Sequence, residues 1–148
     1  MKAYEEIFRR FLAERRLNFT RERRAILACV FADDRHFEAK ELVGTLRQRG
    51  ARVSRATVYR TLALLVDSGL LDEVSLGGEH RHYEHVLGHE HHDHLVCNSC
   101  GRIIEFTSPA IERLQEQICR EHRFKASGHR LRIFGRCAEC ARAARAPE

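Results

Sequence analysis

The stretch HEHHDHLVCNSCG, His89 to Gly101, carries four histidines, Asp93 and two cysteines. Along an extended strand successive side chains alternate faces, so His92 and His94 point one way while His91 and Asp93 point the other. One short segment can therefore supply half of each of two different sites. Imidazole and carboxylate are borderline-to-hard ligands, suited to Fe(II), Mn(II), Zn(II) or Co(II). A solvated histidine-rich loop is the competing explanation.

Cys97-x-x-Cys100 is matched further on by Cys137-x-x-Cys140. Each pair offers two thiolates from a tight knuckle, and four thiolates fill the closed tetrahedral shell of a structural zinc ion. The pairs lie further apart than in an ordinary zinc ribbon, but the interval holds a strand-helix-strand unit able to return the second pair to the first. Disulfides are the alternative, and zinc is favoured because both knuckles are present. Cys29 and Cys119 fall on apolar helical faces and read as small buried hydrophobes.

Composition bounds the elements that position these ligands. The chain has 148 residues, 43% of them apolar and 32% charged, and is long enough for one ordinary domain or two small ones. No apolar run approaches the roughly 20 residues of a membrane-spanning helix. The opening MKAYEEIFRRFLAERR has no apolar h-region, so a cytoplasmic protein with reduced thiols is expected. Residues 1–60 hold 15 Lys/Arg against 8 Asp/Glu, a surplus of +7, and the remainder sums to −2. A basic N-terminal third fits a polyanionic partner, although an arginine-rich solvated face gives the same charge.

Apolar spacing predicts a first helix over Tyr4 to about Arg16 and a second after a Thr20 cap. EAKELVGTLRQRG forms a third, stopping at Gly50. SRATVYRTLALLVDSGL forms a fourth, capped by Ser54 and ended by Gly69, with Val58, Leu62, Leu65 and Val66 inward. LLDEVSLGGEHRHYEH then reads as two strands joined at Gly77 and Gly78. Helices followed by a hairpin is the order of a winged helix-turn-helix domain, in which the helix before the wing enters the major groove. That helix brings Ser54, Arg55, Thr57, Tyr59 and Arg60 forward as DNA-contact candidates. After about residue 85 come the strands DHLVC, GRIIEF and RLRIFGRC around one helix, capped by Ser108 with Pro109 at its first position. Ile111, Leu114 and Ile118 give that helix an apolar stripe. A unit of about 60 residues needs a metal or a partner subunit to be stable. The expected fold class is α+β: a winged-helix domain over 1–84 and a small α/β domain over 85–148, with a hinge at about 80–90.

Enzymatic readings are weak. An HExxH zincin motif beginning at His89 fails because Asp93 replaces the second histidine. His82-Tyr83-Glu84 with Cys97 and Cys100 imitates a deaminase, but the proline is missing and the interval is short. Four thiolates leave no open position for water.

Together ATVYRTL (Ala56 to Leu62), HHDHLVCNSCGRIIEF (His91 to Phe106) and CAEC (Cys137 to Cys140) resemble the ferric uptake regulator family of metal-dependent repressors, over nearly the whole chain and in order. The resemblance implies that the second domain dimerises and that metal favours a closed dimer gripping a palindromic double-stranded DNA operator. It implies a sensory site of His36, Glu84, His92, His94 and Glu105. A second site within the dimerisation domain would use His91, Asp93, Glu112 and His129, and Cys97, Cys100, Cys137 and Cys140 would hold structural zinc. It also assigns Tyr59 and Arg60 to DNA. Asn18 stands where members often carry a minor-groove lysine or arginine, with Arg16 and Arg21 nearby. Glutamate at 105 and 84 leans towards iron over the peroxide-sensing branch, which places aspartate at 105. Zinc and manganese sensing, and dimer versus tetramer, stay open at this level.

Overall fold

The computed structural model describes residues 1–33, 36–74, 81–87 and 91–145. The chain divides into two units, Met1–His89 and Glu90–Glu148. The Gly77–Gly78 turn and His89 lie outside the described residues.

The first unit runs α1 (Ala3–Glu14), α2 (Arg21–Val30), β1 (Phe37–Glu38), α3 (Ala39–Gln48), α4 (Arg55–Asp67), β2 (Leu71–Glu73) and β3 (His82–His85). In α1, Phe8, Phe11 and Leu12 share one face and are buried, as the helical period requires. Helix α2 starts where the Thr20 hydroxyl accepts the amide of Arg23 at 3.2 Å. Helix α4 starts where the Ser54 hydroxyl accepts the amide of Thr57 at 3.1 Å. Val58, Leu62 and Leu65 of α4 enter a core with Phe8, Ile26, Leu42 and Leu46. Thr61 is buried among them at no polar cost, because its hydroxyl donates to the Thr57 carbonyl at 2.7 Å. The helix stops at Gly69, whose φ of 79° only glycine adopts freely.

Strands β1, β3 and β2 form an antiparallel sheet in that order, with Phe37 opposite Tyr83 and Asp72 opposite Glu84. At two residues, β1 is too short to leave an alternating pattern in the sequence. It stacks Phe37 on Tyr83 at 5.6 Å and so fixes the approach of His36, one residue earlier. His85 closes the same sheet from inside. Its Nε2 lies 2.7 Å from the Val30 carbonyl, which can only accept, so Nε2 carries the proton. Its ring stacks on Phe31 at 4.6 Å, and Phe31 stacks on Tyr4 at 4.2 Å.

The second unit holds β4 (Asp93–Cys97), β5 (Ile103–Phe106), α5 (Pro109–Glu121), β6 (Arg132–Gly135) and α6 (Ala138–Arg145). β4 is central, antiparallel to β5 and parallel to β6. A parallel neighbour needs a crossover, which α5 supplies. Ser108 caps α5 by accepting the amide of Ile111 at 3.4 Å, with Pro109 at the first turn. At eight residues, the alanine-rich α6 spans little more than two turns, too short a window for its helical period to stand out in the sequence. The apolar stripe of α5 is exposed on this chain, Leu114 by 60% and Ile118 by 56%, so the unit buries little of its own hydrophobic surface. No helix among the described residues is long and apolar enough to cross a membrane.

Removing the α4 cap by Ser54→Ala should cost about 1 kcal/mol in urea unfolding. Arg55→Ala, on the exposed first turn, should change stability by less than about 0.5 kcal/mol.

Candidate metal centres and nucleic-acid interface

The end of β4 and the start of α6 bring four sulfurs together. Gly101, at φ 75°, lets the chain turn after Cys100 and donates its amide to the Cys97 carbonyl at 3.0 Å. The parallel register sets Cys97 beside Gly135, which delivers Cys137 two residues later. Amides of Cys100 and Cys137 donate to Cys97 Sγ at 3.5 and 3.3 Å. Cys100 Sγ and Cys137 Sγ are 3.8 Å apart, and sulfurs of all four cysteines lie within 4.8 Å of one another. Metal–sulfur bonds of about 2.3 Å in a tetrahedron separate the sulfurs by about 3.8 Å, so this set fits zinc. Hydrogen bonds from the two backbone amides pull the Cys97 thiol down to about 6. Cys140 is pushed up to about 12, first because it shares its proton with Cys137 and then with Cys100. Arg102 Nη2, 3.0 Å from Glu139 Oε2, ties the first knuckle to the first turn of α6.

A second cluster joins β4, α5 and the segment before β6. Asp93 is 1% exposed, and neither of its side-chain oxygens accepts a hydrogen bond from a described residue. His91 Nε2 and His129 Nε2 lie 3.2 and 3.5 Å from Asp93 Oδ1, and 2.9 Å from each other. Glu112 Oε1 is 3.5 Å from the first and 3.4 Å from the second. A buried carboxylate without donors is costly unless a cation faces it. The mixed nitrogen and oxygen donors suit a divalent ion of borderline-to-hard character.

The opposite face of β4 behaves differently. The register sets Glu105 opposite His94, and paired residues share a face. His92 joins them, with its Nε2 3.6 Å from Glu105 Oε1 and its ring 4.9 Å from that of His94. Of the remaining two sensory candidates, both in the first unit, His36 Nδ1 lies 3.4 Å from Glu84 Oε2. Glu84 is 9% exposed on the central strand β3, whereas the His36 side chain is 39% exposed.

On α4, Ser54 and Thr57 share a hydrogen bond of 2.8 Å, and Arg60 Nη2 donates to the Thr57 hydroxyl at 3.3 Å. Arg55 is exposed, and Tyr59 is half-buried against the core. The Arg81 guanidinium lies over the Tyr59 ring at 5.8 Å. Arg81 carries no motif in the sequence; its available signal is its place one residue before β3, on the wing.

The thiol order gives a pH prediction for chelator-treated protein. A pKa lowered from 9.0 to about 6 leaves Cys97 mostly thiolate at neutral pH, so its alkylation by a small reagent, slowed by its 4% exposure, should rise around pH 6. Cys140, raised to about 12, should stay unreactive through pH 9. Peptide mapping of alkylated protein reads both, and equal reactivity at pH 7 would contradict the order.

The family model described as the ferric uptake regulator family matches residues 14–134. The ferric uptake regulation protein of Campylobacter jejuni is 37% identical over 137 residues, 91% of this chain and 87% of that protein. A solved structure of the Helicobacter pylori ferric uptake regulator, described as revealing three functional metal-binding sites, superposes with a TM-score of 0.70. That match has 28% identity and covers 95% of each chain. The Pseudomonas aeruginosa ferric uptake regulator, solved with manganese, gives a TM-score of 0.70 at 33% identity, covering 86% of this chain and 95% of that one. These likenesses give the chain the family's fold class, a winged-helix domain followed by a small α/β domain. The chain therefore belongs to the ferric uptake regulator family, whose members are metal-responsive transcription regulators and not enzymes.

Proposed function

We propose that this chain is an iron-type repressor that binds palindromic operator DNA as a cytoplasmic homodimer when its regulatory site is loaded. In this reading residues 1–84 form the DNA-binding domain and residues 85–148 the dimerisation domain, with the hinge at about 80–90. Cys97, Cys100, Cys137 and Cys140 hold a structural Zn(II), supported by their sulfur spacing. His91, Asp93, Glu112 and His129 hold a second ion, supported by the buried Asp93 carboxylate, which His91 and His129 face at 3.2 and 3.5 Å. The exposed apolar stripe of α5 supports burial against a second copy.

His36 and Glu84, with His92, His94 and Glu105, form the regulatory set. One observation carries this reading: the unit holding the recognition helix also holds an imidazole–carboxylate pair, His36 and Glu84, 3.4 Å apart. A cation taken by that pair and by the donors on β4 favours whichever domain arrangement lets both sets reach it. DNA that selects the same arrangement must tighten metal binding by the same factor. Glutamate at positions 84 and 105 supports Fe(II), with Mn(II) or Zn(II) as the alternative occupants, since these ligand types discriminate weakly. Ser54, Arg55, Thr57, Tyr59 and Arg60 face the DNA. An arginine can fork onto guanine or a phosphate, and a tyrosine can pack on a thymine methyl.

The test is fluorescence anisotropy on a palindromic AT-rich duplex with chelator-cleaned protein, titrated separately with Fe(II), Mn(II) and Zn(II) at fixed ionic strength. Metal should tighten binding by about 10-fold or more, within the usual range of coupling energies. His36→Ala should remove most of that gain while leaving dimers intact by light scattering. Operator affinity indifferent to all three metals would refute the regulatory reading.

A further inference from the structure

The Met1–His89 unit carries a groove of 560 Å3 between α2 and α4. Arg16, Arg23, Arg52 and Arg60 line it, against the single acid Glu22. Arg16 ends the turn after α1 with φ 58°, a left-handed conformation that a non-glycine residue adopts at a cost. Arg23 is held by the Asn18 carbonyl, and Arg60 by the Thr57 hydroxyl. Both acceptors are neutral, so both guanidinium charges stay available. Arg16 and Arg52 are exposed. Thr20 and Ser54, the caps of α2 and α4, also line the groove, and the positive ends of two helix dipoles add to its potential.

The position of this groove relative to α4 decides what it fits. Ser54, Thr57, Arg60 and Thr61 line it from one flank of the recognition helix. The other flank carries Tyr59 beneath Arg81, beside the wing strand β3. A helix about 10–12 Å across nearly fills a major groove about 12 Å wide, so one phosphate strand must pass along each flank. On the wing flank the cation is Arg81, which is paired with Glu73 at 4.0 Å. On the α2 flank the open groove holds four arginines and one acid.

We propose that Arg16, Arg23 and Arg52 form a phosphate clamp for the operator strand on the α2 side of the recognition helix. The inference rests on the DNA-binding reading above and adds a division of labour to it. α4 reads bases, while these three side chains supply affinity that is independent of sequence. Arg52 lies on the ridge between this groove and a neighbouring one lined by Arg21, Arg49 and Arg52, so its charge serves both.

Phosphate contacts release counterions, and each contributes about 0.9 to the slope of log affinity against log salt. Metal-loaded protein should be titrated with the operator duplex and a scrambled duplex between 50 and 200 mM salt. Arg52→Gln should lower the slope by about 1, and the Arg16→Gln, Arg23→Gln, Arg52→Gln triple variant by about 2 to 3. Both duplexes should weaken by the same factor, leaving their affinity ratio and the metal-induced gain within twofold of the wild type. Arg113→Gln, on α5 of the other unit, should change nothing. Unfolding midpoints of the Arg52→Gln and triple variants separate clamp loss from fold loss; if the triple unfolds, the exposed Arg52 variant decides alone. An unchanged slope in Arg52→Gln, or weakening confined to the operator, overturns the clamp. Wild-type protein that binds neither duplex overturns the DNA-binding reading itself, an outcome distinct from a wild type that binds while its variants keep the full slope.

Discussion

Strand β4 is the constraint on which the second unit depends. A pleated strand must send neighbouring side chains to opposite faces, and residues 91–97 use that rule to serve three donor sets. His92 and His94 share a face with Glu105, which the antiparallel register holds opposite His94. His91 and Asp93 turn the other way, towards Glu112 and His129. Cys97 ends the strand where the parallel register with β6 returns Cys137. A one-residue slip of β4 would exchange the two histidine faces and break both sets at once. The register thus decides which donors can meet.

The first unit is built around a different economy. Its core fixes α4 through Val58, Leu62 and Leu65, leaving Ser54, Arg55 and Arg60 exposed. The same core fixes β3 through Tyr83, and with it Glu84. One packed interior therefore positions both the recognition helix and the imidazole–carboxylate pair. His85 adds a polar tie, holding the Val30 carbonyl at the end of α2 while stacking on Phe31.

Much of this was legible in sequence because the signals were local. Thr20 and Ser54 announce helix starts, and the CxxC pairs announce their own chemistry. The face assignment of His91 to His94 follows from a period of two. What escaped depended on partners distant in the chain. Two-residue β1 is a strand only because Phe37 finds Tyr83. Helix α6 is mostly alanine and arginine, and its place is set by the sulfurs it brings to Cys97. Residues Glu112 and His129 were named by family resemblance alone, because no spacing rule links them to residue 93. Arg52 and Arg81 were lost in an overall basic composition until the groove and the Tyr59 ring gave each a location.

The central claim is a thermodynamic coupling between metal and DNA, and reciprocity tests it most directly. Regulatory-metal affinity should be measured by competition with a calibrated chelator, with and without saturating operator duplex, in protein whose cysteine site is filled. The account predicts that operator raises metal affinity by the same factor by which metal raises operator affinity. It also predicts that His36→Ala abolishes both gains together. Metal affinity unmoved by DNA, in protein that binds the operator, would contradict it.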